Sequence, residues 1–335
     1  MQKISRRKIL KLMLSGAVSV AAVPFLEACQ VKSTPTSQAP SATNPPPVHT
    51  PGATATQEPT PTAVNYPGLA VARKGQPEAL VRAAVDALGG MTRFVPQNGW
   101  VIIKPNICID YHSYEYASTT NPWVVGGLVK MCFEAGAGKV QVMDSPFGGT
   151  AASAYKNSGI AEQVELNGGE MVQMPTFKFK EISIANALSL NNVEIYEDVF
   201  KADALINVPI AKNHGMATLT LGMKNLMGLI TNRGAIHKDF GNRLTDLAMT
   251  IRPALTVIDA VRILLRNGPT GGDLDDVQQM DTVIASPDIV AADAYASSLF
   301  GLLPEHLDYV VVGNQAGLGE KDLSRIEIKE ILLES

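Results

Sequence analysis

The sequence predicts an α/β fold, a largely parallel sheet flanked by helices, in one domain or two lobes. Three observations carry that expectation. From residue 67 onward, segments with strand and helical periods alternate along the chain, the order expected of crossover units. Several strand segments are continuous apolar runs rather than alternating ones, as strands buried on both faces must be. Charged residues stand at or just past the ends of four of these runs, where the carboxyl edge of an open sheet collects ligand-binding groups.

Leu80–Leu88 has helical spacing, and Trp100–Lys104 is a short apolar strand run. Pro122–Ala135 is helical and stops at Gly136, a residue free to take the left-handed conformation that ends helices. Val140–Asp144 and Ala204–Val208 read as strands, Thr218–Ile230 and Asn242–Arg252 as helices. Leu255–Asp259 and Thr282–Ala285 read as strands, Ile289–Phe300 as a helix and Tyr309–Val312 as a final strand. Two phosphate- or metal-like stretches lose their appeal in context. Gly136-Ala137-Gly138-Lys139 follows no strand and opens no helix, so it reads as a helix stop. Asp273-Leu274-Asp275-Asp276 lacks the glycine and distal glutamate of a calcium loop and reads as an acidic turn.

Ahead of this region the chain reads as an address and a tether. Residues 1–28 carry Ser5-Arg6-Arg7-Lys8-Ile9-Leu10-Lys11 followed by an apolar run rich in small residues, an export signal of twin-arginine type. An ordinary secretory signal that happens to carry two arginines is the alternative. Leu26-Glu27-Ala28-Cys29 resembles a lipobox, which implies lipidation of Cys29, although Glu27 is larger than the residue usual there. Residues 29–66 are Pro, Thr, Ser, Ala and Gln without apolar period, too polar to bury a core, and in polyproline II such a stretch spans roughly 100 Å. The expectation is a protein held at the outer face of the cytoplasmic membrane by a lipid, with the folded domain over 67–335.

The charge balance fits a lipid rather than an electrostatic membrane anchor. The whole chain is formally −4, and removal of residues 1–28 leaves 23 basic against 31 acidic side chains. The acidic balance gives no basic footprint, so no nucleic-acid partner is expected. Cys29, Cys108 and Cys132 are too few for a cysteine-ligated iron–sulfur cluster, and Cys108 and Cys132 read as buried thiols.

Lys104, Asp144, Lys212, His214 and Asp259 follow or end the strand runs and should share one rim. Asp144 and Asp259 have two readings, acid–base groups or helix caps. The loop around Gly148 and Gly149 opens the next expected helix, and its amides are candidates for an anion cradle. His214 is the first candidate for acid–base work or a metal, with His237 the second metal candidate; an ordinary hydrogen-bonded histidine is the competing account of both.

At this point the residues carry a family likeness. Ile103-Lys104-Pro105-Asn106, Asn207-Val208-Pro209 with Lys212-Asn213-His214, Gly222-Met223-Lys224-Asn225-Leu226-Met227-Gly228, Val257-Ile258-Asp259-Ala260, and Ser286-Pro287-Asp288 through Asp293 together resemble the family called domain of unknown function 362. The resemblance implies a shared pocket containing Lys104, Asn106, Lys212, His214, Lys224, Asn225 and Asp259. Lys212, His214 and Lys224 are expected to bracket one helix start, making the pocket receptive to a small anion. Glycines 222 and 228 imply close packing or a break near Lys224. The functional expectation is an enzyme acting on a small acidic metabolite by acid–base or metal-assisted chemistry, with His214 moving the proton, Asp259 and Asp144 assisting and the lysines holding the acid. A non-catalytic solute-binding or cell-envelope protein and a redox protein with a cofactor not held by cysteines are the competing classes.

Overall fold

Continuous apolar strands and amphipathic helices alternate in the computed structural model, which describes residues 65–334. In chain order the elements are β1 (Leu69–Arg73), α1 (Pro77–Ala87), β2 (Trp100–Pro105), α2 (Pro122–Glu134), β3 (Lys139–Val142), α3 (Ala151–Asn157), α4 (Ile160–Leu166), β4 (Glu170–Met171), β5 (Phe179–Ser183) and β6 (Asn192–Tyr196). There follow β7 (Ala204–Val208), β8 (Ile210–His214), β9 (Thr218–Thr220), α5 (Gly222–Asn225), α6 (Arg233–Ile236), α7 (Phe240–Ile251), β10 (Leu255–Leu264), β11 (Val277–Ser286), α8 (Ile289–Ser297), α9 (Asp308–Gln315) and β12 (Ile328–Leu332). The export signal expected over 1–28, lipidation at Cys29 and most of the tether expected over 29–66 lie outside the described residues.

The main sheet runs β12-β1-β11-β10-β7-β2-β3-β4. Strands β10, β7, β2, β3 and β4 are mutually parallel, and β11 runs antiparallel to both β10 and β1. Strand β8 continues past β7 after a break at Pro209, pairs in parallel with β10, and folds back as the β8–β9 hairpin. The break carries Lys212 and His214 beyond the edge where β2 and β3 stop.

Alternation along β2 splits the core into two layers. Val101 and Ile103 face α1, α2 and α4 through Leu80, Val85, Leu128 and Val164. Ile102 faces the layer of α5, α7, α8 and α9, with Met223, Leu247, Val290 and Val310. Lys104 follows Ile102 in phase and therefore points to the second layer, toward α5. Helix α2 begins where the sequence places it because Asn121 accepts from the Trp123 amide and Pro122 occupies the first turn. It ends at Ala135, before Gly136 at φ +95.

Two elements differ from the sequence expectation. The helix expected over 218–230 starts as strand β9, because Thr218 takes φ +64 and turns the chain back onto β8. Only four residues of α-helix and a short 3-10 turn follow. The strand expected over 309–312 is helix α9. Its β-branched run prefers strands locally, yet Tyr309, Val310 and Gly313 are buried at helical spacing and the Tyr309 hydroxyl donates to the Leu219 carbonyl at 3.1 Å. Tertiary packing overrides the local preference.

Candidate functional site

Where β2, β3 and β8 end, their side chains meet those of α5 and α6 around a cavity of about 360 Å³, within the size range of small-molecule sites. Lys104, Lys212, Lys224 and Arg233 line it, with Asp144 as the sole lining carboxylate among the described residues. His214, His237, Asn106 and Asn225 line it too. The strand-end residues Lys104, Asp144, Lys212 and His214 thus share one rim, and a positive field fills the space between them.

The inner wall is a closed polar network. Lys104, 1% exposed, is 2.8 Å from Asp144 Oδ1 and donates to Asn225 Oδ1 and to the Pro105 carbonyl, each at 2.8 Å. Lys212, also 1% exposed, donates to the Ser118 carbonyl at 2.6 Å and to Asn106 Oδ1 and the Pro269 carbonyl at 3.0 Å. Each ammonium has three donors, and all are engaged. Asn225 locks the wall by donating to Asn207 Oδ1 at 2.8 Å and to the Lys104 carbonyl at 3.1 Å. Asn106 Nδ2 donates to Asn225 Oδ1 at 3.0 Å. Gly228 backs the ion pair: a Cβ there would lie 1.9 Å from Asp144 Oδ1 and 2.6 Å from Lys104 Nζ, so the close packing expected of this glycine is real.

Lys224 is different. It is 8% exposed, and among the described residues its Nζ has no hydrogen-bond or ion-pair partner, only the Phe240 ring 5.8 Å away. Burial, followed by the nearby Lys212 charge, pulls its ammonium down to about 7. Lys104 falls less far, to about 8, because Asp144 offsets its burial. Burial also lowers Lys212. The Thr220 hydroxyl lines the same space, and among the described residues its Oγ1 is buried without a partner. Arg233 donates Nε to the Met227 carbonyl and a terminal nitrogen to the Ser145 carbonyl, and its remaining N–H groups stay unassigned.

The hydrogen-bond pattern reassigns His214. Its Nδ1 accepts from the Met216 and Ala217 amides at 3.1 and 3.2 Å, so the network puts the ring hydrogen on Nε2. Burial, then Lys224 and Lys212, press its pKa down to about 3. His214 is therefore a neutral hydrogen-bond donor, poorly suited to the proton-moving role expected of it. As a metal ligand it would need a lone pair on Nε2, which this tautomer lacks. His237 stands with its ring centroid 6.4 Å from that of His214, and among the described residues no three His, Cys, Asp or Glu side chains are grouped to hold an ion.

Asp259 does not line the cavity. It lies inside β10, fully buried, and its oxygens accept from the Asn121 and Val261 amides at 2.7 and 3.0 Å, so it caps no helix and instead ties β10 to the residue that caps α2, away from the cavity where the catalytic reading would need it. Asp144 lines the cavity, but its oxygens are engaged by Lys104, the Ile107 amide and the Ser145 amide. The expected helix start bracketed by Lys212, His214 and Lys224 gives way to a hairpin followed by one helical turn, whose leading amides at Gly222 and Met223 donate to Asp293. Gly148 and Gly149 themselves lie off the cavity lining, which their loop reaches through Ser145 and Phe147, and the loop cradles the protein's own carboxylate. Asp110 accepts from the Thr150 amide and from Ser153 Oγ, while the Phe147 and Gly148 amides donate to the Cys108 carbonyl. A Cβ at Gly149, which takes φ +81, would strike Asp110.

Arg233 and Thr220 are lining residues that the sequence did not single out, and Cys108, read there only as a buried thiol, lines the cavity as well. Arg233 lies four residues before His237, a same-face spacing on a helical turn, which was a usable signal. Cys108 and Cys132 are free buried thiols, as read from the sequence, and burial pushes Cys132 up to about 12.

Fold and site together define an α/β protein with a cation-lined cavity at the carboxyl edge of its sheet. Residues 101–298 match the family described as "Domain of unknown function (DUF362)", and the chain belongs to that family. It is 28% identical over 250 residues to the thylakoid-associated protein sll1697 of Synechocystis sp., an overlap of 72% of this chain and 75% of the relative. Among solved structures it matches the lactate racemase apoprotein from Thermoanaerobacterium thermosaccharolyticum, with TM-score 0.45 and 14% identity over 68% of this chain and 56% of that one. A Thermotoga maritima protein matches with TM-score 0.39 and 12% identity over 69% and 60% of the two chains. In both cases the chain spans less than two thirds of the matched structure's length.

Proposed function

We propose that the cavity receives a small organic carboxylate and that the protein is an enzyme acting on it by acid–base chemistry, with Lys224 as the proton-carrying group. The observation that carries this reading is the contrast in donors: Lys104 and Lys212 have spent theirs on the fold, whereas Lys224 has not. A carboxylate entering here gains an ion pair in a low-dielectric space already biased positive by its neighbours. A lysine near 7 is poised to give or take a proton at neutral pH. His214 would donate through Nε2 to an oxygen of the ligand.

The test is two-part. Titration calorimetry with lactate, malate and acetate should give binding that Lys224→Met weakens at least tenfold. Incubation of the same carboxylates in deuterium oxide should wash deuterium into the carbon next to the carboxyl, seen by proton NMR, and Lys224→Met should stop it. Binding without exchange would make this a solute-binding protein. No binding would end the reading.

We also propose that the chain is exported and held to the membrane by a lipid on Cys29, on the strength of the paired arginines and the Leu26–Cys29 motif. Labelling with radioactive palmitate should mark the wild type and not Cys29→Ala, and the variant should leave the membrane fraction. An unlabelled wild type would remove the anchor from the account.

A further inference from the structure

We propose that Lys224 forms an imine with a small 2-oxo carboxylate, whose carboxyl group lies toward Arg233 and whose carbonyl carbon lies against Nζ. This deepens the reading given above and rests on it. Two lining residues are left without partners among the described residues: Lys224, 8% exposed, has no hydrogen-bond or ion-pair partner for Nζ, and Thr220 Oγ1 is buried without one. They lie four residues apart where β9 gives way to α5, and Thr220 is the register partner of Lys212. A simple anion site accounts for the unpaired Lys224 but leaves the buried Thr220 hydroxyl without a role. A carbonyl site uses both: the amine attacks carbon, and the hydroxyl and His214 Nε2–H hydrogen-bond the oxygen.

The chemical balance is complete without a co-reactant. The neutral amine adds its lone pair to the carbonyl carbon, the π pair moves to oxygen, and one N–H proton follows to give a carbinolamine. Loss of water then leaves a C=N bond, protonated from solvent to an iminium. The amine must be neutral to start, and the surroundings favour that form. Lys104, Lys212 and Arg233 repel a fourth positive charge, His214 and His237 are held neutral, and Phe240 and Met227 supply an apolar flank. Crowding by cations is one of the established ways to activate a lysine as a nucleophile. Relative to an ordinary surface lysine, the fraction of neutral amine at pH 7 is larger by on the order of a thousandfold.

The experiment uses the full chain, pyruvate and glyoxylate as probes, and borohydride reduction followed by peptide mass spectrometry. The reduced adduct is expected on Lys224, saturating with probe concentration and at least tenfold above any other lysine. It should be competed by acetate, which has no ketone to react, and its rate should rise with pH up to a plateau near 7. Lys224→Arg keeps the charge without the nucleophile and should bind acetate yet give no adduct there, with an unchanged circular dichroism spectrum as the check on folding. Acetate binding without a Lys224 adduct would overturn the imine and leave the carboxylate site standing. Adducts spread evenly over surface lysines would overturn it as well. No binding of acetate and no adduct would sink both.

Discussion

On the inner wall of the cavity Lys104 and Lys212 spend every N–H on fixed partners, while across from them Lys224 spends none, although all three head groups are buried within one small space. The inner pair belongs to the fold: their charges are neutralised by Asp144 or solvated by carbonyl oxygens, and their rotamers are fixed by Asn106 and Asn225. Lys224 is held at a cost to stability, and unsatisfied polarity of that kind in native proteins collects at functional sites. The lesson is that a lining residue is identified as ligand-binding by its unspent hydrogen bonds, not by its charge.

Five substitutions break or sharpen that contrast. The largest effect belongs to the inner wall. Asp144→Asn should leave the Lys104 ammonium buried without a counter-ion and cost about 3–5 kcal/mol in a denaturant titration. Gly228→Ala should behave alike, because its methyl group displaces the Asp144 carboxylate from Lys104. A loss below about 1 kcal/mol in both would show the pair to be dispensable.

Asn225→Ala comes next, with an expected loss of about 2–4 kcal/mol. It strips partners from Lys104, Asn106 and Asn207 at once, and buried groups left unsatisfied cost more than the average hydrogen bond contributes.

Lys224→Met should move stability the other way, by on the order of 1–3 kcal/mol at pH 6, while weakening carboxylate binding at least tenfold. The pH dependence follows from the lowered pKa. Below about 7 the lysine is charged in both folded and unfolded chains, and the full burial penalty is present. Between there and about 10.4 the unfolded chain holds the extra proton, so wild-type stability climbs with pH. The advantage of the variant should therefore shrink across that window in thermal melts, and an advantage independent of pH would assign it to packing alone. Acetate affinity of the wild type should fall as pH rises through about 7, with no inflection near 6.5, since His214 stays neutral.

The smallest effect is expected at the loop that holds its own anion. Asp110→Asn keeps the shape but drops the charge in a solvent-screened turn, and should leave the denaturant midpoint nearly unchanged and carboxylate affinity unchanged. A loss of binding there would tie the loop to the cavity.

How much of this could be read beforehand varies with the kind of information involved. The strand runs at 100–104, 140–144 and 204–208, and the rule that ligands gather at the carboxyl edge of such a sheet, brought Lys104, Asp144, Lys212 and His214 together correctly. The lysine block at 222–228 was legible through its family likeness. Asp144 and Asp259 look alike as strand-end aspartates, yet one lines the cavity and the other is buried inside β10, accepting from the Asn121 amide. The expected helix at 218 failed because one residue with positive φ closes a hairpin. The strand expected at 309–312 failed because burial outweighed β-branched preference.

The amino-acid order by itself determined the periods that make strands and helices, the apolar faces that stack them, the acidic balance of the chain and the strand ends that supply the rim. These are local properties, fixed by neighbours within a few positions. Which cations are spent and which remain available was decided only by the tertiary structure. Lys104 meets Asn225 across 121 positions and Lys212 meets Asn106 across 106. A hydrogen bond forms or fails over a few tenths of an ångström, a distance that only the assembled sheet and its covering helices set.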